Sequence, residues 1–146
     1  MTEAEWLACE DPDAMVNALN PRRWEAALAA FPRACVYKVK THGSDGREDG
    51  GWSVRFASPA VRAAILRCLI GNPFRRVVFA PEWRTDTALS LPRGMYDSRD
   101  FGAMPILADA LQDAGCDNDD ILAHCRDTNA THVRGCWVVD LVLGKE

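Results

Sequence analysis

No window of this chain approaches the ~18 uninterrupted apolar residues that a membrane-spanning helix needs, so the sequence predicts no membrane partnership. The opening MTEAEWLACEDPD is acidic and lacks the positive n-region of a secretory signal. The expected compartment is therefore the reducing cytoplasm, where thiols stay free. Positive charge is scarce: 17 Lys+Arg stand against 21 Asp+Glu, for a net charge of −4 that lies in the C-terminal half. Nucleic-acid binding draws most of its affinity from neutralised phosphates, and no basic stripe is present to supply it. The pairs Arg22–Arg23 and Arg75–Arg76 read as solvated surface. Lysine is confined to Lys38, Lys40 and Lys145, a bias that with the high Ala content marks a GC-rich coding sequence and says nothing of function. Also missing are a Gly-rich loop between strand and helix, a GxSxG elbow and an HExxH helix, which removes the phosphate-loop, serine-hydrolase and zinc-protease classes. There is no CxxC or CxxH pair, the usual opening of a zinc site.

What is present suits one globular domain over 1–146. Hydrophobic residues make up 48% of the chain, charged residues 26%, and there are five Trp. A chain of 146 residues buries roughly 68–70% of its unfolded surface, enough for a core without staples. The six cysteines (Cys9, Cys35, Cys68, Cys116, Cys125 and Cys136) then read as small buried hydrophobes.

The pattern along the chain predicts an α+β class. Thr2 caps a first helix with Glu3 and Glu5 in its opening turn; Asp11-Pro12 starts a second with Met15, Val16 and Leu19 inward. A third runs from Pro21 to about Phe31, presenting Trp24, Leu28 and Phe31. The period then changes to two, and a β-hairpin is predicted over about 34–57 with the polar tip THGSDGREDGG. Ser58-Pro59 starts a helix with Val61, Ala64, Ile65, Cys68 and Leu69 on one face, and Gly71 ends it. Val77-Val78-Phe79 fits a third strand, while Thr87–Tyr96 is ambiguous because Pro92 and Gly94 interrupt it. Pro105 opens the most regular helix, with an apolar stripe of Ile106, Leu107, Ala110, Leu111 and Ala114. Asp117 is the expected cap of a short helix through Ile121, Leu122 and Cys125. The run from Cys136 to Leu143 is a buried terminal element whose β-branched content suits a strand and whose length equally suits a core helix.

The opening TEAEWLACEDPDAM and a tail containing GAMPILADALQDAGCDNDDILAHC and HVRGCWVVDLVLGKE resemble a family of bacterial proteins that occurs as many paralogues in large-genome environmental bacteria. The resemblance covers roughly 1–16 and 71–146; over 17–70 the chain departs from it, since members carry a Cys-rich helical segment there. It implies kinship and no assigned activity. Leu107–Gly115 with Asp117 and the Ile121 helix is also similar to the helix–Gly–Asp–helix core of the bacterial repeat-companion domain, which accompanies leucine-rich and similar repeat proteins.

Several constellations carry potential chemistry. Asp113, Asp117, Asp119 and Asp120 are acidic enough for calcium, but a loop counted from Asp117 has Leu122 where the sixth-position Gly belongs and Thr128 where the twelfth-position Glu belongs. The densest donor set is Cys116, His124, Cys125, His132 and Cys136. His132-x3-Cys136 is a plausible ligand pair, with Cys125 or His124 to begin another, so Cys125, His132 and Cys136 form the alternative metal set. Without paired spacing, and with adjacent His124 and Cys125 on different sides of a helix, the expectation is core cysteines, surface histidines, no metal and no cofactor. A Cys–His nucleophile, Cys136 with His132 or Cys125 with His42, lacks any local signature. Trp83 and Arg84 are expected in a loop and are the candidates for an interaction face, since Trp and Arg are common interface anchors. The functional expectation is a non-enzymatic protein-interaction or accessory module, the alternative a metal-dependent or thiol enzyme using the C-terminal His/Cys set.

Overall fold

The computed structural model describes residues 1–19 and 58–145 in full and the backbone alone of 36–42 and 48–56. The expected helix from Pro21 to Phe31, Cys35 and the centre of the polar tip at 43–47 lie outside the described residues.

Local capping explains where the helices begin. In α1 (Glu3–Ala8) the Thr2 hydroxyl accepts from Glu5 N while the Glu5 carboxylate accepts from Thr2 N at 2.6 Å, a reciprocal box that occupies two orphan donors. In α2 (Pro12–Asn17) Asp11 accepts from Asp13 N and Ala14 N. Ser58 caps α3 (Pro59–Ile70), Thr85 caps α4 (Asp86–Ser98), and α5 (Met104–Asp113) carries Pro105 in its first turn. Asn118, not Asp117, caps α6 (Asp119–Arg126), its side chain accepting from Ile121 N at 3.1 Å. The terminal run resolves as a helix, α7 (Trp137–Leu143).

The α+β class predicted above is overturned: among the residues whose side chains are described, 61% are helical and none is strand. Backbone pairing of Val36–His42 with Glu48–Phe56 contributes no sheet to this helical body. Val77-Val78-Phe79 forms no strand either; the segment is irregular and Val78 is 71% exposed. β-Branched residues favour a strand only where a neighbouring strand supplies ladder partners, and the described ladder joins Val36–His42 to Glu48–Phe56 alone. Thr87–Tyr96, ambiguous in the sequence, is helical throughout: Ala88, Pro92, Met95 and Tyr96 are all buried, and their spacing puts them on one face. That burial offsets the hydrogen bond Pro92 cannot make. The stripe of α5 is also shifted. Met104, Leu107, Ala108 and Leu111 face inward, whereas Ile106 is 57% exposed.

Among the described residues, most buried side chains fall into two clusters. Trp6, Met15, Leu19, Ala63 and Leu66 form the N-terminal one. Met95, Tyr96, Met104, Leu107, Leu111, Ile121, Val138, Val139 and Val142 centre the larger C-terminal one, with Cys68, Cys125 and Cys136 among them. Helix α3 serves both, giving Ala63 and Leu66 to the first and Cys68 to the second. Its end is fixed by hydrogen bonds: Trp6 Nε1 donates to Gly71 O at 3.2 Å, and Arg67 donates to Trp6 O at 2.9 Å and to Cys9 O. Gly71 adopts φ +71°, and a Cβ there would lie 3.0 Å from the Trp137 ring. Only glycine lets α7 come this close.

Candidate metal centre

Cys68 lies near the end of α3 on the face that also buries Ile65. His124 lies on α6, whose Ile121 and Cys125 point into the core. Successive helical residues are about 100° apart, so His124 turns away from Cys125 and toward the start of α7. His132 and Cys136 bound a tight turn: Cys136 N donates to Val133 O at 3.0 Å, and Gly135 takes φ +98°. Cys136 is also the residue preceding α7, whose N-terminus has no side-chain cap.

These elements bring one donor atom from each of Cys68, His124, His132 and Cys136 within 4.8 Å of one another. His124 Nε2 is 3.3 Å from Cys136 Sγ, and Val133 N donates to Cys68 Sγ at 3.4 Å. The two imidazoles meet edge to face, with centroids 4.9 Å apart and planes at 87°. Trp137 packs beside His124 at 5.4 Å and Phe101 beside His132 at 6.5 Å. The sulfurs are shielded, Cys68 being 1% and Cys136 0% exposed.

The electrostatics follow from this crowding. Hydrogen bonding from Cys68 holds the Cys136 thiol well below its ordinary range, with help from His124 and His132 and against the cost of burial. Its partner moves the other way: the bond to Cys136 and burial push the Cys68 thiol up. Cys125 is different. Burial pushes its thiol up, and it remains an inert core side chain.

Two sulfurs and two imidazole nitrogens are the donor set of a structural zinc site. Two thiolates and two neutral imidazoles balance a divalent cation, which lowers the cost of burying it. Zinc bonds of about 2.0–2.3 Å place tetrahedral donors roughly 3.3–3.8 Å apart, so the cluster needs to close by about an ångström. A further observation fits a metal ligand. His132 Nδ1 is buried and finds no hydrogen-bond partner among the described residues, a condition that ordinarily costs free energy.

Beside His124 lies a hollow of about 230 Å³ bordered by Trp6, Arg67, Asn72, Arg75 and Trp137. Arg75 closes its rim by pairing with Glu3 on α1 and with Asp120 on α6 at 3.0 Å.

Of the sequence candidates, His132 and Cys136 enter the cluster and Cys125 does not. Cys116 is buried elsewhere in the core, its thiol pushed up by burial. The side chain of His42 lies outside the described residues. Trp83 is half-buried, edge-on to Phe79 at 5.2 Å. Arg84 stacks on Phe79 at 4.8 Å and donates to the carbonyls of Leu141 and Val142, both at 3.0 Å, at the end of α7. Cys68 is the donor that sequence reasoning missed. A single Cys on an apolar helical stripe carries no signal that separates a ligand from a core residue. Comparison with protein-family models, curated proteins and solved structures finds no match.

Proposed function

We propose that this chain is a zinc-binding, non-enzymatic helical module in which Cys68, His124, His132 and Cys136 hold one Zn²⁺ as a structural tie. The observation that carries the reading is the convergence of four nitrogen and sulfur donors, from three separate parts of the chain, within 4.8 Å. Four protein donors leave no open position for a substrate or an activated water, which separates a structural zinc from a catalytic one. Bound there, the ion supplies cross-linking: it joins the end of α3, the middle of α6 and the start of α7. A thiol-enzyme reading is disfavoured because Cys136 has no exposed surface through which to attack. A metal-secured scaffold in the cytoplasm, acting through contacts with other proteins, also accords with the absence of catalytic motifs.

Purified protein is expected to carry one zinc per chain by elemental mass spectrometry, and Cys68→Ser or Cys136→Ser to carry almost none. Cys125→Ser is expected to keep its zinc. Metal-free wild-type protein from zinc-supplemented cells that also fails to take up zinc on titration would sink the reading.

A further inference from the structure

The turn that carries His132 and Cys136 is held by a polar device away from the donor atoms. The Tyr96 hydroxyl accepts from Gly135 N at 3.0 Å and donates to the carboxylate of Asp140. Asp140 lies on α7, and its own N–H donates to Cys136 O at 2.9 Å. A loop is therefore closed from α4 through Tyr96 to Gly135, and from Tyr96 through Asp140 back to Cys136. Gly135 sits at φ +98°, a conformation that glycine adopts without the Cβ clash other residues would meet. The same turn aims Val133 N at Cys68 Sγ. Three of the four proposed ligands thus depend on one turn, and Tyr96 grips its middle.

The surroundings suit a fixed contact. Tyr96 is 5% exposed, and burial together with the bond to Asp140 pushes its hydroxyl up, so that it stays protonated and able to donate. The cations of Lys145 and Arg134 lie near the Asp140 carboxylate. Those cations also flank the Tyr96 ring, the ammonium at 4.8 Å and the guanidinium at 5.5 Å from its centroid.

We propose that Tyr96 and Asp140 are positioning residues for the metal: through the Gly135 amide they set the geometry in which His132 and Cys136 meet Cys68 and His124. This rests on the zinc reading above. Groups that orient metal ligands without touching the metal typically change affinity 10–100-fold when removed.

The test measures zinc affinity by chelator competition, and ligand geometry by the visible spectrum of the Co²⁺-loaded protein. Tyr96→Phe removes only the hydroxyl. It should weaken zinc 10–100-fold and shift or weaken the Co²⁺ d–d bands. Asp140→Ala should behave in the same way, while Asp140→Asn, which keeps an acceptor oxygen, should stay within a few-fold of wild type. Met15→Ala, in the other cluster, is the control for plain destabilisation; it should lower the melting temperature and leave the Co²⁺ spectrum unchanged. Wild-type affinity and spectrum in Tyr96→Phe would overturn the positioning role and leave the zinc reading standing. The role also falls if Met15→Ala perturbs the spectrum as much as Tyr96→Phe. A wild-type protein that binds neither ion overturns both.

Discussion

The N-terminal and C-terminal clusters solve the same packing problem by different means. The first joins α1, α2 and the early turns of α3 through Trp6, Met15, Leu19, Ala63 and Leu66, and each short helix brings its own cap. Its polar ties, Arg67 to the carbonyls of Trp6 and Cys9, reach backbone groups that a helix end leaves free. The second must seat α7, a seven-residue helix far below the ~12–15 residues at which isolated helices become even marginal in water. Trp137, Val138, Val139 and Val142 are poor helix formers because their side chains lose χ1 freedom. Where α1 and α2 have a hydroxyl or carboxylate cap, α7 has Cys136 and no side-chain cap. Tertiary ties take its place: the candidate metal centre and Tyr96 at one end, Arg84 on the Leu141 and Val142 carbonyls at the other. The contrast teaches that a helix with weak local support has to be tethered at both ends by residues remote in sequence.

The most severe way to break the contrast is to remove α7. A chain ending at Gly135 loses Cys136 together with Val138, Val139 and Val142, all fully buried. At roughly 1.5–3 kcal/mol for each aliphatic side chain, the loss rivals a typical stability of about 5–15 kcal/mol. No cooperative melt is expected, and near-ultraviolet circular dichroism should lose its aromatic signal. Stripping zinc with excess chelator from the intact chain comes next. It should lower the melting temperature by about 10 °C or more, reversibly on adding zinc back, because metal binding is linked to folding. An unchanged melt would show that apolar packing alone seats α7.

Met15→Ala sharpens the contrast from the other side. Its loss of about 2–5 kcal/mol in denaturant melts should leave zinc stoichiometry intact, whereas Val139→Ala should lower both stability and zinc affinity. Gly71→Ala should cost roughly 1–3 kcal/mol, since it combines a left-handed φ with a close approach to Trp137. The smallest effect is expected at Arg126, whose pair with Asp109 is largely exposed. Arg126→Ala should change stability by no more than about 1 kcal/mol.

Much of the local structure was legible because its causes lie within one turn. The starts at Thr2, Asp11-Pro12, Ser58-Pro59 and Pro105 were readable from cap residues and from proline's preference for the first turn. The departures have separate physical sources. Val77-Val78-Phe79 and the α+β class were read from β-branched content, which measures fit to a neighbouring strand and not an intrinsic backbone preference. Pro92 and Gly94 obscured α4 because the burial of Ala88, Met95 and Tyr96 outweighs one missing hydrogen bond. Ile106 was assigned inward from spacing alone, yet Met104 and Ala108 define the buried side of α5.

His132-x3-Cys136 was visible in the sequence as a candidate pair, set aside there in favour of core cysteines and surface histidines, and the structure brings both, with His124, into one cluster. Cys125 could not be told from His124 without knowing which side of α6 meets the core. By itself the amino-acid sequence determined the helix starts at Thr2, Asp11-Pro12, Ser58-Pro59 and Pro105, because these depend on residues three or four positions apart, and it showed the donors available near the C-terminus. Only the tertiary structure decided that Cys68, far upstream on another helix, completes the set. That convergence depends on α3 packing against α7, with Gly71 under Trp137, and a contact between remote segments leaves no period or spacing in the chain that makes it.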